Sequence, residues 1–220
     1  MSSVAVIDYG MGNLHSIAKA LQHASPGTFV NVTADPAALC AADRVVFPGV
    51  GAIRDCMVAL TERDLVPVLH ELAASKPLLG ICLGMQALLE SSEENNETPC
   101  LGLMPGRVVR FADDLVDADG TPLKIPHMGW NRVHQAGDHP IWSGIPQDSR
   151  FYFVHSYYAR PAEESLVAAT SDYPAPFAAA LARDNVFAVQ FHPEKSQAAG
   201  LRLLANFLAW EPGGQRLSSN

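Results

Sequence analysis

Gly80-Ile81-Cys82-Leu83-Gly84 sets a cysteine between two glycines, directly after an apolar run and before a helical pattern. This is the cysteine form of the strand–turn–helix nucleophile elbow. Such a sharp turn strains its central residue and brings neighbouring chain so close that side chains at the flanking positions would clash. It would expose the Cys82 sulfur at a sheet edge and at a helix N-terminus, where free N–H groups favour the reactive thiolate. A cysteine merely buried in a tight turn would show the same pattern, so the reading needs a base. Among eight histidines, His192 stands out because it ends the apolar run Val186–Phe191 and is followed by Pro193-Glu194. At His-x-Glu spacing the carboxylate can fold back onto the imidazole and fix its tautomer, leaving the other ring nitrogen for Cys82. Together these residues predict a Cys82–His192–Glu194 constellation for acyl transfer.

Acyl transfer develops negative charge on a carbonyl oxygen, which fixed N–H donors must meet. The N–H of Leu83, just after the nucleophile, is one candidate. The segment Pro48-Gly49-Val50-Gly51 is the second, because glycines on both sides of Val50 free the peptide planes to rotate. A simple turn leading into the following helix explains one glycine more easily than two.

The elements that must position these groups alternate in the first half. Val4–Ile7, Phe29–Val32, Arg44–Phe47 and Pro77–Ile81 read as strands. Helical periods cover Asn13–Ala24, a short stretch near Ala37–Ala42, the long Ala52–Ser75 and the run from Gly84 to Leu89, with Pro67 kinking or dividing the long one. Strands apolar throughout and separated by helices imply a parallel sheet covered on both faces. Ligands bind beyond the carboxyl ends of such strands. Tyr9–Asn13, Pro48–Gly51 and Cys82–Gln86 therefore belong on one edge. The second half reads as β-rich and more antiparallel: Arg107–Phe111, Asn131–His134, Arg150–Tyr158, Leu166–Thr170, and a hairpin of Phe177–Arg183 and Val186–Phe191 about Asp184-Asn185. Ala198–Trp210 closes the chain as an amphipathic helix. The expected organisation is a single domain over 1–212, with 213–220 as a flexible tail.

Composition narrows the function. The chain has 220 residues, 48% of them apolar, and a net charge of −8 without a basic run. Nucleic-acid binding needs a clustered basic face, so no nucleic-acid partner is expected. Neither a signal peptide nor a membrane span is read, which predicts a cytoplasmic protein. Cys40, Cys56, Cys82 and Cys100 have no zinc-like spacing, and no metal or other cofactor is expected. Cys40 and Cys56 read as small buried hydrophobes and Cys100 as a loop residue.

Several segments together carry a resemblance over essentially the whole length: Tyr9-Gly10-Met11-Gly12-Asn13, Pro48-Gly49-Val50-Gly51-Ala52, Gly80–Gln86, Pro126-His127-Met128-Gly129-Trp130-Asn131, Tyr152–Tyr157 and Phe191–Ser196. The chain resembles the class I glutamine amidotransferases, and among them the glutaminase subunits of imidazole glycerol phosphate synthase. The elbow and His-Pro-Glu are common to the class; the Pro-Gly-Val-Gly and His-Met-Gly-Trp-Asn segments are more particular. The resemblance implies an α/β, flavodoxin-like fold with a mostly parallel central sheet and added antiparallel strands in the C-terminal half. It implies glutamine hydrolysis through Cys82, His192 and Glu194, with an oxyanion hole from Gly49, Val50, Gly51 and Leu83. Gln86 and the Ser156-Tyr157 backbone would hold glutamine. Asn13, Met128, Trp130, Asn131, Tyr152 and Lys195 would face a (βα)8-barrel cyclase that receives the ammonia. The alternatives are a glutaminase serving another synthase, a related cysteine protein for peptide hydrolysis or redox sensing, and a subunit that binds without catalysing.

Overall fold

A computed structural model describes residues 2–117 and 119–213. Of the expected tail, all but Gly213 lies outside the described residues. The first half comprises β1 (Ser3–Ile7), α1 (Leu14–Ala24), β2 (Phe29–Thr33), α2 (Pro36–Ala41), β3 (Arg44–Gly49), α3 (Ile53–Glu62), α4 (Leu65–Ser75), β4 (Leu78–Cys82) and the short α5 (Leu83–Ala87). The short strands β5 (Ser91–Ser92) and β6 (Thr98–Pro99) follow. Then come β7 (Gly106–Arg110), β8 (His127–Arg132), β9 (His134–Gln135), β10 (Arg150–His155), β11 (Tyr157–Pro161), β12 (Val167–Asp172), β13 (Pro176–Arg183), β14 (Val186–Val189) and α6 (Gln197–Ala209).

Strands β2, β1, β3, β4 and β14 lie side by side in that order and run parallel. The sheet continues antiparallel through β13, β11 and β7. Successive side chains on a strand point to opposite faces, and this divides the core in two. Val4, Val6, Val46, Leu79, Ile81, Phe187 and Val189 pack with Ile17 and Leu21 of α1 and Leu203, Leu204 and Phe207 of α6. Ala5, Ile7, Val45, Phe47 and Leu78 pack on the other face with Leu39 of α2, Leu60 of α3 and Leu65, Leu69 and Leu72 of α4. Both faces are covered, which is why these strands lack an apolar–polar alternation.

Four readings need correction. The long helical stretch divides at Arg63-Asp64, where Asp64 adopts φ 53°, and not at Pro67. Pro67 sits in the first turn of α4, where an N–H has no intrahelical acceptor to lose. The strand expected at Asn131–His134 starts at His127 instead. His127 is buried while Met128 and Trp130 are exposed, the reverse of the pattern that marks a strand with one face in the core. The expected strand Arg150–Tyr158 breaks at Ser156, where the chain leaves the β8–β10 ribbon and enters the main sheet as β11. Cys40 is only half-buried, whereas Cys56 is fully buried.

The loop between β14 and α6 is held by close contact and by one hydroxyl. Ser196 Oγ donates to the His192 carbonyl at 2.6 Å and accepts from the Tyr152 N–H at 3.0 Å. A Cβ on Gly200 of α6 would lie 1.9 Å from the Pro193 carbonyl oxygen. Gly200→Ala must therefore push α6 away from this loop, and overpacking of that kind costs about 1–3 kcal/mol. Urea unfolding should register such a loss; stability within a few tenths of a kcal/mol of wild type would mean that the contact relaxes freely.

Candidate active site

The elbow is strained as expected. Cys82 ends β4 with φ 54° and ψ −108°. Backbone in such sparsely populated regions costs on the order of 1–3 kcal/mol, sustained by its surroundings. The surroundings here are β3 and α5. A Cβ on Gly84 would sit 2.0 Å from the Phe47 carbonyl oxygen, and one on Gly80 would lie 3.1–3.2 Å from Ala188, Leu88 and Met85. Close approach thus demands glycine at position 84 and leaves little room for a side chain at position 80. The helix after Cys82 is a turn and a half, shorter than expected, so any help to a thiolate comes from free N–H groups of its first turn.

Across the parallel register Gly49 of β3 pairs with Cys82 of β4, which brings the Gly49–Gly51 loop beside the elbow. The buried Tyr9 hydroxyl donates to the Pro48 carbonyl at 2.9 Å and pins the start of this loop. The two glycines differ in their reasons. A Cβ on Gly49 would be 2.6 Å from the Tyr9 hydroxyl and 2.8 Å from Leu83 Cβ, whereas Gly51 adopts φ +97°. Conformational freedom therefore belongs to Gly51 and tight packing to Gly49.

His192 and Glu194 meet as the spacing predicts. The imidazole Nδ1–H donates to Glu194 Oε1 at 2.9 Å, and both side chains are almost fully buried. The other ring nitrogen, Nε2, is sealed from solvent and makes no hydrogen bond of regular geometry, and Glu194 Oε2 is likewise unpartnered. Burial pushes the His192 pKa down, but the Cys82 sulfur and the Glu194 carboxylate outweigh it and hold it up at about 10. The arrangement suits a positive imidazolium between the sulfur and the carboxyl group.

These groups open on a cleft of about 310 Å³ lined by Val50, Gly51, Cys82, Leu83, Gln86, Ser156, Tyr157, His192 and Lys195 among others. Every expected substrate-binding residue reaches it. Gln86 is 5% exposed, and its Nε2 donates to the Tyr157 carbonyl at 2.9 Å and to Gln190 Oε1 at 3.0 Å. The Ser156 carbonyl accepts from the Phe111 N–H. The backbone carbonyls of this segment are thus engaged within the protein, and a ligand would have to use its N–H groups.

Most of the expected partner-facing residues lie on or beside the β8–β10 ribbon, and Lys195 also lines the cleft. Trp130 and Tyr152 are paired across β8 and β10 with their rings 6.2 Å apart, and Lys195 Nζ lies 5.8 Å over the Tyr152 ring. Met128, Trp130 and Asn131 line a second, shallower depression. Asn13 is exposed before α1 and its side chain makes no capping bond.

Sequence reasoning missed Gln190 and Glu94. The fully buried Gln190 places Nε2 3.7 Å from the Cys82 sulfur. A signal existed: two residues before His192, Gln190 interrupts the apolar run Val186–Phe191, whose strand ends at Val189. Glu94 lines the cleft and accepts from the Ile53 N–H at 2.8 Å, and nothing in the acidic stretch around it marked it.

The fold and cleft have counterparts among known proteins. Residues 5–210 match the family model described as glutamine amidotransferase class-I. A putative GMP synthase component from Thermoplasma acidophilum superposes with a TM-score of 0.70 at 21% identity, over 95% of this chain and 93% of that one. PurLQS from Thermotoga maritima also gives 0.70, at 16% identity, over 94% and 97%. The structural likeness is one of fold, and with the family match it makes the chain a class I glutamine amidotransferase of flavodoxin-like α/β architecture. Sequence narrows this further. The imidazole glycerol phosphate synthase subunit HisH of Methylococcus capsulatus is 71% identical over 98% of this chain and 100% of its own length. Its counterpart in Nitrosococcus oceani is 63% identical over 96% and 98%. Within the class, the chain belongs to the HisH family. Among the described residues, no helix is long and apolar enough to cross a membrane.

The His192 environment has a sign that can be checked. A raised pKa contributes stability that is complete below the ordinary imidazole value of about 6.5 and is lost as pH rises through about 10. Cys82→Ala removes the contribution of the sulfur and leaves the burial, so the His192 midpoint followed by NMR should fall. A midpoint equal to or above wild type would contradict this balance of causes.

Proposed function

We propose that Cys82, His192 and Glu194 hydrolyse glutamine to glutamate and ammonia for a partner cyclase in histidine biosynthesis. The observation that carries the reading is the buried His192–Glu194 contact beside a cysteine held at φ 54°. The Cys82 thiolate attacks the carboxamide carbon, and the oxygen takes up the electron pair of the carbonyl. The N–H of Leu83 and the loop of Gly49, Val50 and Gly51 meet that charge. His192 donates its proton to the departing nitrogen, the C–N bond breaks, and ammonia leaves a glutamyl thioester. Neutral His192 then takes a proton from water, the hydroxide attacks the thioester, and the C–S bond breaks to give glutamate and thiolate. Glu194 orients the ring throughout. Gln86 and the N–H groups of Ser156 and Tyr157 hold the substrate, with the Glu94 carboxylate available to its ammonium group. The steps balance without a cofactor.

The names of the relatives assign them to imidazole glycerol phosphate synthase, which supports a (βα)8-barrel cyclase as the partner. That cyclase would convert a ribulosyl precursor to imidazole glycerol phosphate and an aminoimidazole carboxamide ribotide. Met128 is 62% and Trp130 38% exposed, unusual for large apolar side chains and suited to a protein interface. We assign Asn13, Met128, Trp130, Asn131, Tyr152 and Lys195 to that interface, with ammonia passing directly into the barrel.

Glutaminase activity of the complex tests the reading. Cys82→Ala should lower kcat/KM by roughly 10⁴ or more while circular dichroism stays native; sustained hydrolysis would refute the assignment. The flexible Gly51 turn further predicts that the chain is nearly inactive alone. Adding the cyclase and its ribotide ligand should raise hydrolysis by at least about 10²-fold, the worth of one oxyanion donor. Equal rates with and without the cyclase would remove the gating role of the loop.

A further inference from the structure

Two histidines, His155 in the wall of the cleft and His127 against it, take no part in the reaction as written. His127 of β8 is 4% exposed and His155 of β10 is 6% exposed. They face each other across the ribbon, with His127 Nδ1 3.0 Å from His155 Nε2. Phe111, Phe153, Tyr173 and Phe177 pack around them, and the Tyr173 ring stacks on His127 at 4.0 Å. Apolar burial keeps both rings neutral, with pKa values near 4 for His127 and near 3 for His155.

Neutrality and the fixed partners leave one arrangement of protons. His155 Nδ1 lies 2.8 Å from the Tyr157 carbonyl, which can only accept, so Nδ1 carries the hydrogen. His155 Nε2 is then an acceptor, and His127 Nδ1 must donate to it. His127 Nε2 is left as an acceptor, and Asn131 Nδ2 donates to it at 3.3 Å while also donating to the Asp172 carbonyl at 2.8 Å. The Tyr157 carbonyl takes its second hydrogen bond from Gln86 Nε2, whose other hydrogen goes to Gln190 Oε1. Gln190 Nε2 in turn points at the Cys82 sulfur. An unbroken chain thus runs from Asn131 on the outer ribbon to the elbow, and every link has its donor and acceptor assigned.

We propose that His127 and His155 are positioning residues for glutamine binding: as a one-way neutral pair they lock the Tyr157 carbonyl, and through it the Gln86 amide, and tie both to Asn131 on the strand that carries Met128 and Trp130. The proposal rests on the glutaminase reading above. Both hydrogens of the Gln86 amide are committed, so its Oε1 is the atom offered to substrate, and its direction depends on the chain behind it. Displacement of Asn131 would release the last donor and let the carbonyl and the amide drift.

Two measurements test this. ¹⁵N NMR of the wild-type protein at neutral pH should show both rings protonated at Nδ1 and bare at Nε2, a form that free histidine disfavours. A ring protonated at Nε2, or an imidazolium, would overturn the proposal without any variant having to fold. In the assembled complex with the cyclase, His127→Phe keeps the aromatic packing and removes the link. Its KM for glutamine should rise about tenfold, the equivalent of one hydrogen bond, with kcat within about threefold of wild type. An unchanged KM, or a loss confined to kcat and thermal stability, would reduce the pair to a packing role. If Cys82→Ala stays active the glutaminase reading fails; if only the histidine results fail, that reading stands.

Discussion

A buried imidazole sealed between a sulfur and a carboxylate governs this structure. Burial alone would keep His192 neutral, and the adjoining Cys82 sulfur and Glu194 carboxyl group reverse that preference. Such a trio survives only where each member is immobilised by chain that has no freedom of its own. The fold meets this requirement with backbone contacts: Gly84 against the Phe47 carbonyl, Gly200 against the Pro193 carbonyl, and Ser196 bridging His192 to β10. None of these contacts involves a reacting atom, yet each fixes the direction in which one points.

The parallel half of the fold and the site were legible because their signals are local. Apolar runs of strand length, glycines flanking Cys82 and the His-x-Glu spacing express geometry within a few residues. The β8–β10 ribbon was harder to see because its pattern is inverted. Met128 and Trp130 face outward and His127 faces inward to pair with His155, so hydrophobicity misleads about which side is inside. Ser156 was hidden for a related reason. A strand that changes sheets midway shows no break in β-propensity, because both halves are extended. Glu94 reaches the cleft through contacts between distant segments, which spacing along the chain does not encode. The motif resemblance supplied the partner and the interface; composition and periodicity alone could not have named either.

The division of labour between the sheets follows. The parallel strands hold the sulfur and the Gly49–Gly51 loop, the groups on which bond-making depends. The antiparallel extension and the ribbon supply Ser156, Tyr157 and the Trp130–Tyr152 pair, which the proposed function assigns to binding and assembly. The histidine pair sits in the ribbon and is tied to the main sheet by the hydrogen bond from His155 to the Tyr157 carbonyl of β11.

Strand order has one further implication, for synthesis of the chain. β14 is the last strand in sequence yet lies near the middle of the sheet, between β4 and β13. Until Val186–Val189 leaves the ribosome, β4 has an open ladder on one side and the elbow has no imidazole near it. A nascent chain therefore carries its cysteine long before it can use it. The thiol gains its partner only when the closing strand slots into place, so assembly of the sheet and arrival of reactivity are a single event.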